Sequence, residues 1–213
     1  MNIVGPILFF LLTQLTVPEM GDNSVQIHTL AAESISLENR YANEFVNDVF
    51  KDNILLTLHY WSGKVTKKDE INWDEIRKPV DFSFVLQPNE TFAFHDDVLS
   101  KYKNTVVKTT NARFNFDDGF KSDGYLMGDG VCHLASLVYW VSKNAGLDAY
   151  APTNHNFAII PEIVKEFGVA IYKMPGQETA NAMQNLYVTN NKDKAIIFKV
   201  SYKDRLEISI GEL

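Results

Sequence analysis

The segment Gly128-Asp129-Gly130-Val131-Cys132-His133-Leu134-Ala135-Ser136-Leu137-Val138-Tyr139-Trp140-Val141 is a glycine-punctuated turn that runs straight into an apolar helix. Two glycines one residue apart let the backbone enter positive φ, which most side chains resist. Leu134, Leu137, Val138 and Val141 recur at three- and four-residue steps, so that face must be covered by the rest of the chain. The helix is predicted to end near Asn144, with Gly146 supplying the left-handed cap. Cys132, the chain's single cysteine, falls on the first turn. Unpaired backbone N–H groups and the positive end of the helix dipole favour a thiolate there.

The elements around this helix read as α+β. Residues 36–61 carry a helical pattern in Leu37, Tyr41, Phe45 and Val49, with Ser36 as N-cap and an interruption expected at Lys51-Asp52-Asn53. Residues 62–70 read as a polar linker. Over residues 81–95, Phe82, Phe84 and Leu86 alternate, a turn follows at Gln87-Pro88-Asn89-Glu90, and Phe92 and Phe94 alternate again. Residues 104–116 form another extended piece. Beyond the central helix, short strands are expected at Tyr150 and at residues 157–160, 169–172 and 184–189. A hairpin about Lys203-Asp204 joins residues 195–202 and 206–210. The expected organisation is a helical N-terminal region over residues 21–79, then a mixed or antiparallel sheet domain over 80–213 with one central helix starting at the Cys132 turn.

A chain of 213 residues with 46% hydrophobic residues and 14 phenylalanines can build a substantial core. Its net charge of -7, with no Lys/Arg cluster, argues against nucleic acid as a partner. A single cysteine excludes an intramolecular disulfide. Residues 3–17 are an apolar run, broken by Pro6, Thr13, Gln14 and Thr16. The run is shorter than the roughly 20 residues a spanning helix needs and suits the apolar core of a signal peptide. Residues 1–20 are therefore expected to be an export signal or membrane anchor, with membrane contact only through that segment; the alternative is a hydrophobic tail packed on the domain.

Cysteine chemistry needs a thiolate, an imidazole to move its proton and a polar group to orient the imidazole. Cys132 is the candidate nucleophile. Among the five histidines, His133 and His155 lie nearest to it in sequence. His155, in Thr153-Asn154-His155-Asn156-Phe157, sits where a strand is expected to begin after the helix, and is the candidate base. Glu178, in the turn Pro175-Gly176-Gln177-Glu178-Thr179, is the candidate orienting acid, with Asn156 and then Asn154 as weaker polar options. The backbone N–H groups about Gly128, Gly130, Val131 and His133 form the candidate oxyanion site. Each feature also has a plainer reading: Cys132 as a small buried hydrophobe, His155 as a loop cap, Glu178 as a solvated turn carboxylate, and the glycines as turn formers. Zinc on Cys132, His133, His155 and Glu178 is a third chemistry, although no CxxC or HxxxH spacing supports it. No cofactor is implied.

Taken in order, these segments resemble the VanW-like domain family. That family carries an L-x-P-G-E-x-F-S-F-N segment, then G-G-G-V-C-Q-V-S-T-x-L-Y-N in a helix closing on A-G-L. A histidine, a G-x-D-A-T-V turn and a strand ending N-N follow. Here the counterparts are Gln87 to Phe94, Gly128 to Cys132, Asn144-Ala145-Gly146-Leu147, His155, Gly176 to Asn181 and Leu186 to Asn191. Asp129 replaces the middle glycine, His133 the glutamine and Glu178 the aspartate, and Thr179-Ala180 inverts the Ala-Thr order. The resemblance covers roughly residues 80 to 210. It implies an exported, envelope-associated bacterial protein in the setting of glycopeptide resistance, with peptidoglycan or other wall material as partner. Two functions follow as expectations: a Cys132-dependent hydrolase or acyltransferase acting on wall peptide or amide bonds, or a non-catalytic wall-binding or scaffold module.

Overall fold

The computed structural model describes residues 27–124 and 127–213; the apolar run at 3–17 and its expected export role lie outside the described residues. The chain is α+β, as expected, with two four-stranded sheets and a central helix. Strands β1 (His28–Ile35), β2 (Val80–Leu86), β7 (Ile196–Tyr202) and β8 (Leu206–Glu212) form an antiparallel sheet in the order β1-β8-β7-β2. Strands β3 (Thr91–Ala93), β4 (Val106–Lys108), β5 (Asp148–Tyr150) and β6 (Tyr187–Thr189) form the second, in the order β4-β3-β6-β5. Only the β3–β4 pair there is parallel.

The hairpin about Lys203-Asp204 forms in the expected register, with Tyr202 opposite Leu206. Its inward residues are buried, and its outward ones are polar apart from Ile197 and Gly211, the alternation that identifies a one-faced strand. The turn at residues 87–90 behaves differently from a hairpin: it carries the chain from the first sheet to the second, because β2 pairs with β7 while β3 pairs with β6. Glu90 Oε2 accepts from the Gln87 N–H at 2.7 Å, and Asn89 takes a φ of +67°. The turn locks onto the end of β6, where the Asn190 carbonyl accepts from the Asn89 N–H and Asn190 Nδ2 donates to Leu86 O. The proline-containing turn and the closing Asn190-Asn191 are thus two halves of one junction.

The N-terminal region departs from its helical reading. Residues 28–35 form β1, paired along its length with β8. The helix begins later than Ser36: α1 spans Glu44–Ser62, capped by Asn43, whose side chain accepts from the Val46 N–H. It passes through Lys51-Asp52-Asn53 without interruption, because the buried polar residues there have partners. Asp52 receives Arg77 at 2.8 Å and Lys121 at 2.5 Å, and Asn53 bonds the main chain of Lys121 and Asp129. Gly63, in left-handed conformation, closes the helix. A single-turn helix, α2 (Trp73–Ile76), follows, and Trp61 of α1 packs between Phe82 and Phe84 of β2 and Phe92 of β3.

The central helix α3 runs over Val131–Asn144, with Gly146 in left-handed conformation just beyond it. It packs on β1, β8, β5 and α1, so its apolar face is enclosed as the pattern requires. Two expected strands are absent. Residues 157–160 and 169–172 are irregular, and Phe157 and Ile159 stand exposed. The expected polar turn at Glu178 is the start of a short helix, α4 (Glu178–Met183). No helix among the described residues is long and apolar enough to cross a membrane.

Candidate functional site

The turn before α3 is built as the glycines suggested. Gly128 and Gly130 have φ of +80° and +96°. Gly130 is also bare for a steric reason, since a Cβ there would lie 2.6 Å from the carbonyl oxygen of Phe50 in α1. Between them, Asp129 Oδ2 accepts from the Asp123 N–H at 3.0 Å. Burial, opposed by the Asp123 N–H and reinforced by the Asp123 carboxylate, raises the Asp129 carboxyl to about 6.

Cys132 follows on the first turn of α3, but its chemistry there is not the expected one. The residue keeps some surface exposure, while the thiol itself sits in a buried environment. Sγ accepts from the Ile171 N–H at 3.4 Å and donates to the Ile171 carbonyl at 3.7 Å. Burial pushes the thiol up to about 11, overcoming the lowering effect of the Ile171 N–H. One turn later Ser136 Oγ accepts from the Val169 N–H and donates to Cys132 O. Two small polar side chains on one face of α3 therefore hold the irregular backbone at 169–171 through the N–H groups of Val169 and Ile171, while the Ala170 N–H goes to Thr153 O.

His133 points into the core. Its Nδ1 lies 3.3 Å from Arg40 Nη2, and its Nε2 lies 3.3 Å from Tyr41 Oη. A guanidinium can only donate, so Nδ1 accepts and Nε2–H donates to the tyrosine. Burial, then the Arg40 charge, then His155 hold His133 well below the usual imidazole range. It is a neutral structural link. Arg40 also donates to Ser36 O and Pro161 O and pairs with Glu162 at 3.5 Å. The network thereby ties the loop after His155 to the strand-helix connection before α1.

The His155 ring is buried, 6.3 Å between centroids from His133 and 4.0 Å from Phe157. Its Nδ1 is buried without a hydrogen-bond partner. Burial lowers its pKa, although main-chain groups of His155 and Ala158 act in the opposite direction. Asn154 Nδ2 reaches the carbonyls of Lys165 and Glu166 and closes the loop, while Asn156 lines the cavity beside His155. Glu178 is exposed and belongs to a different neighbourhood. It lines a cavity with Asp96 and Asp97, close to Lys173, which pairs with both aspartates. Among the described residues no hydrogen bond joins Cys132, His155 and Glu178. No group of three or more His, Cys, Asp or Glu there is placed to hold a metal ion.

Sequence reasoning did not find two further features. One is the buried polar knot of His95, Asn185 and Asn181: His95 Nε2 meets Gln184 O, Asn185 holds the main chain at His95 and Asp97, and Asn181 reaches Asp97. Burial lowers His95 to about 4. The other is an apolar groove of about 340 Å³ at Phe45, Trp73, Phe116 and Phe120, with Lys121 3.8 Å over the Trp73 ring and Lys68 3.5 Å over Phe116. The only sequence signal for the groove was the pair of aromatics in otherwise polar surroundings at Trp73 and Phe116.

No curated protein and no solved structure matches the chain. The family model described as VanW like protein matches residues 80–210, which is more than half of the sequence. Its span takes in the cross-sheet turn, the glycine-Cys132 helix start, His155 and the closing Asn190-Asn191, and on that match the chain belongs to the VanW family.

Proposed function

We propose that this VanW-family domain is an exported, envelope-associated module that binds cell-wall material and that Cys132 anchors structure instead of attacking substrate. The observation that carries this reading is the engagement of Cys132 Sγ by both main-chain groups of Ile171. A nucleophile needs a free, ionised sulfur with a base in reach, and here the thiol is protonated, buried and already bonded. The groove at Phe45, Trp73, Phe116 and Phe120 supports a binding role. Phe45 and Phe116 are exposed, and apolar surface left uncovered on a soluble face marks interaction sites. Its volume lies within the range of natural ligand sites, roughly 300–1,000 Å³, and flat aromatic faces suit the C–H faces of wall sugars.

The second reading, a cysteine-dependent hydrolase or acyltransferase on wall peptide or amide bonds, has the helix-start position of Cys132 in its favour. Alkylation separates the two. For a binding module, the native Cys132 alkylation rate climbs only towards pH 11, is unchanged by His155→Ala, and Cys132→Ala retains sedimentation with purified peptidoglycan. Phe116→Ala weakens that sedimentation. A thiol titrating at or below the ordinary ~8.5 and shifted by His155→Ala overturns the reading in favour of the enzyme. Absence of peptidoglycan binding by the wild type overturns the wall-binding part.

A further inference from the structure

The loop over residues 156–164 has its polarity inverted. Glu162 is the sole charged residue between Asn156 and Val164, and it is turned back onto the protein. Its carboxylate accepts from the Ser36 N–H at 2.8 Å and pairs with Arg205 at 2.6 Å and Arg40 at 3.5 Å. Glu162 does so at a φ of +67°, a left-handed conformation that costs energy for any residue but glycine. The apolar side chains face the other way, with Phe157 72% exposed, Ile159 85% and Val164 56%. They stand on a fixed frame. Asn154 Nδ2 donates to Lys165 O and Glu166 O, Arg40 Nη2 donates to Pro161 O, and a Cβ on Gly168 would lie 2.9 Å from His155 O. A loop surrounded by water turns charge outward and apolar groups inward. This one is arranged for an apolar medium.

We propose that this loop is a membrane-contacting tip, with Phe157, Ile159 and Val164 immersed in the interfacial layer of a lipid bilayer as a second attachment beside the apolar run at 3–17. The proposal rests on the envelope-associated part of the functional reading and needs no role for Cys132 or the aromatic groove. Reach allows it, because the nine residues 18–26 between the run and the described residues span about 30 Å when extended. Strand β1, about 26 Å long, leads to Ser36 and its bond to Glu162, so the run can lie level with the tip. The chain's own run is a poor cover for the loop. The hollow beneath it, about 200 Å³, is on the scale of a cavity of about 150 Å³ that holds one benzene and cannot seat the fifteen residues 3–17. A second copy is a poor cover too, since three side chains fall well short of the roughly 800 Å² per partner that a specific interface buries. A bilayer demands neither shape nor area of that kind. Its hold scales with the apolar surface immersed, and two weak attachments together make a stable one. With a net charge of -7, attraction to anionic headgroups is not the driving force.

The test is tryptophan fluorescence of the full chain on phosphatidylcholine vesicles whose acyl chains are brominated, which quenches only tryptophan immersed among them. Ile159→Trp is the probe. Val107→Trp is the control, at a position 54% exposed on the edge strand β4 of the other sheet. The signal of the native tryptophans, measured in the wild type, is subtracted, and flotation measures the vesicle-bound fraction. Bound Ile159→Trp emission is expected to fall about twofold relative to unbrominated vesicles, with the control unchanged. Val164→Asp added to the probe variant should restore most of the emission, and high salt should leave the quenching as it is. A chain that floats with the probe unquenched overturns the tip while leaving attachment through residues 3–17 in place. Equal quenching of the control, or quenching that requires anionic lipid, also overturns it. So does a probe already blue-shifted without vesicles, covered by a second copy or by the chain's own run. A chain that does not float overturns the tip and the anchor together. Peptidoglycan sedimentation and Cys132 alkylation are read independently of all these outcomes.

Discussion

Gly130 lies so close to Phe50 that any Cβ would stand 2.6 Å from the Phe50 carbonyl oxygen. The backbone of α1 crosses directly over the start of α3, and it is main chain, so it cannot swing aside as a long side chain would. The left-handed φ of Gly130 adds a second penalty. Gly130→Ala is expected to cost about 2–4 kcal/mol in urea denaturation. Gly63→Ala is the control: its φ is +76° with nothing within 4 Å of a Cβ, so strain alone costs about 1–2 kcal/mol. Equal losses at the two sites would show that contact with α1 is not what Gly130 serves.

His133 makes the fold sensitive to acid. Its native pKa is depressed by burial and by Arg40, so below the unfolded value of ~6.5 the unfolded chain takes up a proton that the native state refuses. Its stabilising contribution is complete above that pH and declines as pH falls. His95, lowered to about 4 by burial, adds to the decline between ~6.5 and 4. Asp129, raised to about 6, works in the opposite direction. His133→Gln can still accept from Arg40 and donate to Tyr41 but does not titrate. It should flatten the pH dependence of stability by up to about 1.4 kcal/mol per pH unit over that window. An unchanged slope would remove His133 from the account.

The elements that were readable in the sequence are those whose pattern and environment agree. The β7–β8 hairpin alternates because one face is buried, and α3 shows its apolar stripe because four elements cover it. Strand β1 was illegible because HTLAAESI has no clean alternation; pairing with β8 decides its conformation. Asp52 and Asn53 looked like a helix break because their partners, Arg77 and Lys121, lie 25 and 69 residues away. The apolar residues of 157–160 looked like a strand, yet Phe157 and Ile159 stand exposed and only Ile160 is buried. For the candidate site, the glycines, Cys132 and its helix position were legible. The burial of its thiol was not, because Ile171 is 39 residues distant and bonds it through main-chain atoms that every residue possesses.

Asp52, 3% exposed in its side chain, binds Arg77 through both carboxylate oxygens and also Lys121. Burial alone would raise its pKa, but the two cations bring it below the usual carboxylate value. Asp52→Asn should cost about 2–3 kcal/mol at neutral pH, since charge-assisted hydrogen bonds exceed neutral ones. The folded pKa is depressed, so this contribution is present above the unfolded value of ~3.9 and fades as pH falls below it. Denaturation of both proteins at neutral pH and in acid should show the gap closing; a gap that persists unchanged in acid would count against the ion pairs as its source.

Arg40 and Arg205 both grip Glu162, yet they should contribute unequally. Arg40 is buried, and its guanidinium also serves Ser36 O, Pro161 O and His133 Nδ1. Lysine cannot reproduce that fork. Arg40→Lys therefore strands two carbonyls and an imidazole nitrogen, with an expected cost of about 2–4 kcal/mol. Arg205 is half-exposed, and its pair with Glu162 at 2.6 Å is open to water; Arg205→Lys should cost under about 1 kcal/mol. Because Arg40 holds the loop at Pro161 while Asn154 holds it at Lys165 and Glu166, Arg40→Lys should also speed protease cleavage within residues 156–165 under native conditions. Cleavage accelerated equally by the Arg205 variant would place the hold on the loop in the surface pair instead of the buried guanidinium.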